Sequence, residues 1–449
     1  MKFITFVKGL IRQLFAPDQI KSALGVKPAL TPDTADRLKL WADMYTGHAP
    51  WLSDDIRSLR VEQGVVREFA NIAVGEMTAA VSDTNLNTAL QAVLRNFNVS
   101  FQSGLATGAL VIKPMPDLSV QFLPQNAFIP LSYDIRGRLI DVIFPETIKD
   151  DERYLTRLEW HHLDEAGLTI INRAFVSYSE NNLGIETRLS ALDKWANIAP
   201  ETRYPGMTRP IYGYYRNPID NTIDGSNAGV SIFDPAVDLI KIVDTQFGRL
   251  DWEFESGQRA IHVDPAALKK DKDKDGKFHL PKLSKRLYRA VDIDPGKDGK
   301  GFFEAFSPEF REQSLISGLE EFKRAIEFAV GLSYGDISNP QTVEKTATEI
   351  LAAKKRKYNT VNAIQQNLRD CLDDLVFALA FWSAKTKSGY EFVCDFKDSI
   401  LIDEETERQQ DRADVSMGVM RLEEYRAKWY GESVEDALKN LPERDEVVM

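Results

Sequence analysis

The sequence predicts an α+β protein built from several parts, and three observations carry that expectation. Apolar residues recur at three-to-four spacing over 51–98 and again from about 234 onward. Between about 100 and 192 the period changes to two. A polar, turn-rich insertion then separates two helical runs of similar length. With 449 residues, 43% hydrophobic and 28% charged, the chain is long enough for two to four domains and at least one sizeable core.

The first fifteen residues, MKFITFVKGLIRQLF, place Phe3, Phe6, Leu10 and Leu14 at helical spacing. They predict a short amphipathic helix docked on the body or on a partner. Lys8 and Arg12 interrupt the apolar run and no small-residue cleavage site follows, so the segment does not read as a signal peptide. Three basic residues give little support for a membrane surface, and no run approaches the length of a membrane span. Over 51–98, Leu52, Ile56, Leu59, Val65 and Phe69 predict helix, and EFANIAVGEMTAAV continues it. The period-two stretch is punctuated by Pro114, Pro124, Pro130, Gly137 and Pro145, and YDIRGRL reads as the turn of a hairpin.

An Asn-, Asp- and Gly-rich loop at 214–231 leads to a helix start, with Asp234 as the expected cap and Pro235 in the first turn. Val237, Ile240, Val243, Phe247, Leu250 and Phe254 follow at helical spacing, a rod of roughly 33 Å. Ser307 and Pro308 predict a second start, followed by Leu315, Leu319, Phe322, Ile326 and Ala329. These two helices predict an antiparallel pair that projects the insertion from its tip. A break at 331–342 precedes a far longer helical pattern, from Ile350 to about Trp382. A helix of that length needs partners along its whole extent. YEFVCDFKDSILID (390–403) reads as one or two strands, and the rest as an acidic helical tail.

Formal net charge is −12, which argues against a protein that grips nucleic acid by neutralising phosphates. The charge is uneven: residues 401–449 carry −7 and residues 264–301 carry +4, so different faces meet different partners. Two cysteines, Cys371 and Cys394, cannot make a disulfide framework.

No catalytic constellation emerges. GLSYG (331–335) fits G-x-S-x-G, but Ser333 follows a helical run instead of a strand, and all five histidines precede it. A serine hydrolase using Ser333 is therefore kept only as an alternative. DKDKDGKFHLPK (271–282) matches the start of a calcium loop but ends on Lys282 where a glutamate is needed, and reads as a solvated turn. His161 and His162, adjacent in a strand, point to opposite faces and do not share a metal. KKRK (354–357) goes right round a helix and reads as mostly solvated. No metal site and no cofactor are expected.

The order of these parts resembles that of the portal proteins of tailed double-stranded-DNA bacteriophages, of the long-tailed siphophage type. The phrases that carry the resemblance are GALVIKP (108–114), NAFIPLSYDIRGRLIDVIFPE (126–146), YYRNPIDN (214–221) leading to GVSIFDPAVDLIKIVD (229–244), and TATEI (346–350). Together they span about 100–385. The resemblance implies a non-enzymatic subunit of a dodecameric ring at one capsid vertex, assembled in the host cytoplasm and carried in the virion. DNA would pass through the ring during packaging and ejection. It implies a wing (1–231), stem helices (232–256 and 308–331), a clip (257–307), a tunnel loop (332–345), a spine with wing strands (346–403) and a crown (404–449). Implied partners are the terminase large subunit, later a neck or adaptor protein, and the major capsid and scaffolding proteins, with no membrane.

Within that frame Ser338, Asn339, Gln341, Thr342 and Lys345 are the candidate channel contacts. Lys270, Lys272, Lys274, Lys277, Lys285 and Arg286 are the candidate clip contacts to an acidic partner. Val237, Ile240, Phe247, Leu319, Phe322 and Ile326 are expected to pack stem against stem. An interaction protein that uses its long helices as a coiled coil is the second alternative.

Overall fold

The computed structural model describes residues 17–179, 182–256, 260–263, 271–272, 278–279, 288–290, 303–306, 311–340, 347–384, 389–396 and 404–441. The N-terminal amphipathic segment, Ser307 and Pro308 lie outside the described residues.

Helices α1 (Pro17–Leu24), α2 (Pro32–Thr46) and α3 (Val61–Gly75) open the chain, followed by β1 (Met77–Val81), α4 (Thr84–Leu94) and α5 (Phe97–Thr107). Two expectations change here. Residues 51–60 form an irregular segment, because Trp51 and Leu59 are drawn to a carboxylate on a distant helix, as described below. MTAAV is a strand and not the end of a helix: β1 pairs antiparallel with β16 (Phe392–Phe396), setting Ala79 opposite Cys394. Nothing local to the sequence reveals a partner more than 300 residues away. Only one strand is described within 390–403, and 397–403 lie outside the described residues.

Strands β2 (Ala109–Pro114), β3 (Val120–Pro124) and β10 (Gly213–Arg216) make a small sheet in the order β10-β2-β3. A larger antiparallel sheet runs β4 (Ile129–Tyr133), β5 (Leu139–Asp150), β6 (Arg153–Asp164), β7 (Gly167–Ser177) and β8 (Ile185–Thr187), with β9 (Glu201–Pro205) also on β7. The YDIRGRL hairpin is present between β4 and β5, with Gly137 at φ 77° and Asp134 Oδ1 accepting from the Arg136 and Arg138 amides. Short reach from β5 to β6 and β6 to β7 keeps the alternation regular, so His161 is buried against Glu159 while His162 faces Asp141. The two sheets are riveted by charge: Lys113 of β2 meets Glu159 at 2.6 Å, and Arg157 bonds both Glu159 and Glu146. Burial opposes the Glu159 charge, but Lys113, His161 and Arg157 outweigh it and hold the carboxyl well below the usual range.

Helix α6 (Val237–Ser256) follows a short 3-10 turn at Asp234–Ala236. Asp234 does not cap it. Its carboxylate instead takes Arg37 Nε at 2.7 Å and Trp41 Nε1 at 2.8 Å, which ties the helix start to α2. In the insertion, β11 (Ala260–Val263) pairs antiparallel with β15 (Phe303–Phe306) and parallel with β14 (Tyr288–Ala290), while β12 (Asp271–Lys272) pairs with β13 (Phe278–His279). Helix α7 (Glu312–Val330) starts later than the sequence predicts, with Arg311 at its N-cap.

Helix α8 (Ala347–Trp382) is the long helix the sequence predicts, 36 residues and roughly 54 Å. Its Val361, Ile364, Leu368, Leu372, Leu375, Val376 and Leu379 are all fully buried. It packs against α3, α4, β2, β10 and β16, so its apolar stripe is the centre of the main core. Asp374 accepts from both Arg138 and Arg209, pinning α8 to the β-rich body. Helices α9 (Glu404–Ser416), α10 (Leu422–Tyr430) and α11 (Val434–Lys439) form the tail. The architecture is mixed α+β, as the sequence predicts. Among the described residues no helix is long and apolar enough to cross a membrane.

Candidate functional site

The candidate site is the two-helix rod and the loop that leaves it. Helices α6 and α7 run antiparallel. At one end Glu253 of α6 accepts from the Arg311 amide at 3.0 Å and from its guanidinium at 2.7 Å. At the other, Leu239 of α6 lies with Phe328 of α7 around an open groove of about 610 Å³, which Arg324 and Tyr334 also line. The rod's inward stripe is taken up within the chain. Val237, Ile240, Leu319 and Ile326 are buried in the main core, and Phe247 and Phe322 are half-buried. This changes the expectation that these six pack against a neighbouring subunit: the four buried ones have no surface left to offer. The apolar groups that remain outside are others, chiefly Ile242, Trp252, Phe254, Ile316 and Phe328, with Trp252 65% exposed and Phe328 60%.

Gly331 ends α7 in the left-handed region at φ 86°. The Leu332 amide bonds the Glu327 carbonyl and the Gly331 amide bonds that of Phe328, a glycine-terminated stop. A Cβ at Gly331 would also stand 2.6 Å from Thr360 Oγ1 of α8. The chain then folds back over α7 onto two glutamates. The fully buried carboxylate of Glu327 accepts from the Gly335, Ile337 and Ser338 amides and from the Ser338 hydroxyl, at 2.7 to 3.2 Å. Glu320 accepts from the Asn339 amide at 2.7 Å. Burial opposes its ionisation, but that amide and Lys323 hold its carboxyl below the usual range.

These contacts sort the predicted channel residues. Ser338 is 4% exposed with its hydroxyl committed to Glu327, so it is a loop-building residue and not a surface contact. Asn339 is exposed. Gln341, Thr342 and Lys345 lie outside the described residues, as do Lys270, Lys274, Lys277, Lys285 and Arg286, while Lys272 is placed on β12. Ser333 follows a helix, as the sequence indicated, and its amide donates to Asp336. Among the described histidine side chains, His48, His161 and His162 bond Thr46, Glu159 and Asp141. No group of three or more metal-binding side chains occurs among the described residues.

KKRK divides differently from the expectation of a mostly solvated face. Lys354 and Lys355 are exposed, but Lys357 is 7% exposed and bridges Asp336 at 3.0 Å and Glu68 at 3.2 Å. Arg356 lies between the Phe328 and Tyr334 rings, 4.8 and 5.5 Å from their centroids. The loop is thus held by α7 from one side and α8 from the other. Sequence reasoning missed Glu327, although one signal was present. An acid in the last turn of a helix faces the unfavourable end of the macrodipole, and a buried one there requires donors from elsewhere.

The sequence matches no protein-family model and no curated protein.

Proposed function

We propose that the chain is a portal subunit. Twelve copies form a ring at one capsid vertex, through which double-stranded DNA is packaged and later ejected. The observation that carries this reading is the rod. Two adjacent antiparallel helices carry a terminal insertion at one end and leave Ile242, Trp252, Ile316 and Phe328 partly or largely exposed. Side chains of that size on one two-helix element are covered by a neighbour in an obligate assembly. A ring of rods supplies the neighbour on both sides of every subunit.

The other parts fit the same frame. The long α8 is the spine, the loop from 331 leads from stem to spine, and the acidic tail is the crown toward packaged DNA. Twelve copies carry about −144 formal charges, a field that discourages DNA from adhering to its conduit. The basic insertion is the docking face for the terminase large subunit and then for a neck or adaptor protein, while capsid and scaffolding proteins meet the outer body. The chain acts by shape and charge and performs no bond chemistry. The coiled-coil alternative is disfavoured because the seam of α8 is consumed inside the chain.

Electron microscopy of the purified protein tests the proposal. Annular particles with a central hole are expected. Compact monomers that persist under every assembly condition would sink it.

A further inference from the structure

Glu62 lies in the first turn of α3 and is 1% exposed, yet neither carboxyl oxygen meets a hydrogen-bond partner. A second buried acid, Asp244 of α6, lies within its electrostatic reach and is also 1% exposed. Asp244 is the anchor of the irregular segment 51–60: Trp51 Nε1 donates to it at 2.9 Å and the Leu59 amide at 2.8 Å. That segment crosses α6 closely. A Cβ on Gly248 would stand 2.5 Å from the Asp55 carbonyl oxygen, so the helix carries glycine where the strap passes. The strap enters α3 through Arg60, a non-glycine residue at φ 59°. Left-handed backbone in such a residue persists only while its surroundings hold it.

We propose that Glu62 and Asp244 form a proton-operated clasp: with Glu62 protonated beside a charged Asp244 the 51–60 strap is fastened across α6, and loss of that proton releases it. Two like charges buried together disfavour full ionisation. Asp244 has two N–H donors and the Ser58 hydroxyl to stabilise its charge, while Glu62 has only the weaker help of its own backbone amide, so Glu62 takes the proton. The groups facing it are few. Arg60 from the strap is the opposing cation, α5 contains no charged residue, and Lys357 of α8 is occupied by Glu68 and Asp336. On α2, Arg37 is bound to Asp234, Asp33, Asp36 and Lys39 are exposed, and Asp43 is half-buried.

Burial first, and then the Asp244 charge, push Glu62 up to about 7. For an acid raised in the folded state, the closed clasp is favoured at low pH. That preference is lost as pH rises from the ordinary carboxyl value of 4.5 through about 7. The clasp joins the core around α3 to the rod, so its release loosens the body's hold on α6. It does so whether or not the rod belongs to a portal ring.

Hydrogen exchange of the full-length protein, read on peptides covering 51–60 and corrected for intrinsic rates, tests this. Between about pH 5.5 and about pH 8 the strap is expected to lose protection at least about tenfold, while α8 peptides keep theirs. In Glu62→Gln, neutral at every pH, the strap's protection is expected to stay constant. A strap insensitive to pH in the wild type, or one equally sensitive in Glu62→Gln, would overturn the clasp. Should the variant fail to fold, isotope-edited infrared spectroscopy of the wild type reads the glutamate carboxyl directly. A buried protonated glutamate that titrates together with strap release supports the proposal. Complete ionisation of every glutamate by about pH 5.5 defeats it.

Discussion

Glu327 shows how one side chain sets the course of the chain. Three backbone amides and a hydroxyl converge on its carboxylate, so the loop after α7 is shaped by a residue that precedes it by 8 to 11 positions. Removing the acceptor leaves those amides without partners in a buried site, each costing about 1–3 kcal/mol. Glu327→Ala is therefore expected to destabilise the protein by about 3 kcal/mol or more. It should also open the loop to proteolysis, while Ser338→Ala, which loses one of several donors, costs about 1 kcal/mol. Urea unfolding midpoints and limited digestion check the ordering. Equal effects from the two variants would show that the carboxylate does not organise the loop. At this scale the sequence told little: the serines were visible, but their partner was not.

Among the elements, α8 was the most legible, because its helical period runs unbroken from Ile350 to Trp382. What it rests on was not legible. Gly213 of β10 sits against its backbone, and a Cβ there would stand 2.5 Å from the Cys371 carbonyl oxygen and 3.2 Å from Leu375 Cβ. Gly213→Ala is expected to cost about 1–3 kcal/mol through overpacking. Gly318, within α7 with nothing near its missing Cβ, offers the contrast. Gly318→Ala should stabilise by about 0.5–1 kcal/mol, since alanine loses less backbone freedom in a helix. Thermal or denaturant unfolding reads both, and a stabilised Gly213→Ala would contradict the close strand–helix contact. The same limit explains MTAAV. Its local pattern allowed helix, and pairing with Phe392–Phe396 made it a strand.

For the whole molecule, the exposed apolar side chains of the rod are where the proposed assembly should be sensitive. Ile242→Asp combined with Trp252→Asp changes side chains that are 39% and 65% exposed, so the isolated subunit is expected to stay folded at a cost of about 1–2 kcal/mol. In the proposed ring two charges would be buried at each rod-to-rod contact, so annular particles should nevertheless be lost. Sedimentation velocity and electron microscopy together separate the outcomes. Rings that survive the double change would place the interface elsewhere. The tail is a second candidate for contacts at this scale, with Met417, Val419, Tyr430 and Leu438 all largely exposed on a short acidic helical unit.

The sequence by itself determined the α+β class, the β4–β5 hairpin, the two rods around an insertion, the glycine-bearing stop at 331 and the length of α8. Each of these is written in local periodicity, turn chemistry or capping, which act over a few residues. Only the tertiary structure decided which partner each apolar stripe would meet. A helical period marks a sticky face without saying whether the chain's own body or a second molecule covers it. Val237, Ile240, Leu319 and Ile326 turned inward for that reason, leaving Trp252 and Phe328 outside. It also decided the fate of the charges. Asp234, Asp244, Glu327 and Asp374 find their donors in segments distant in sequence or past a reversal of the chain, and no spacing rule reaches that far.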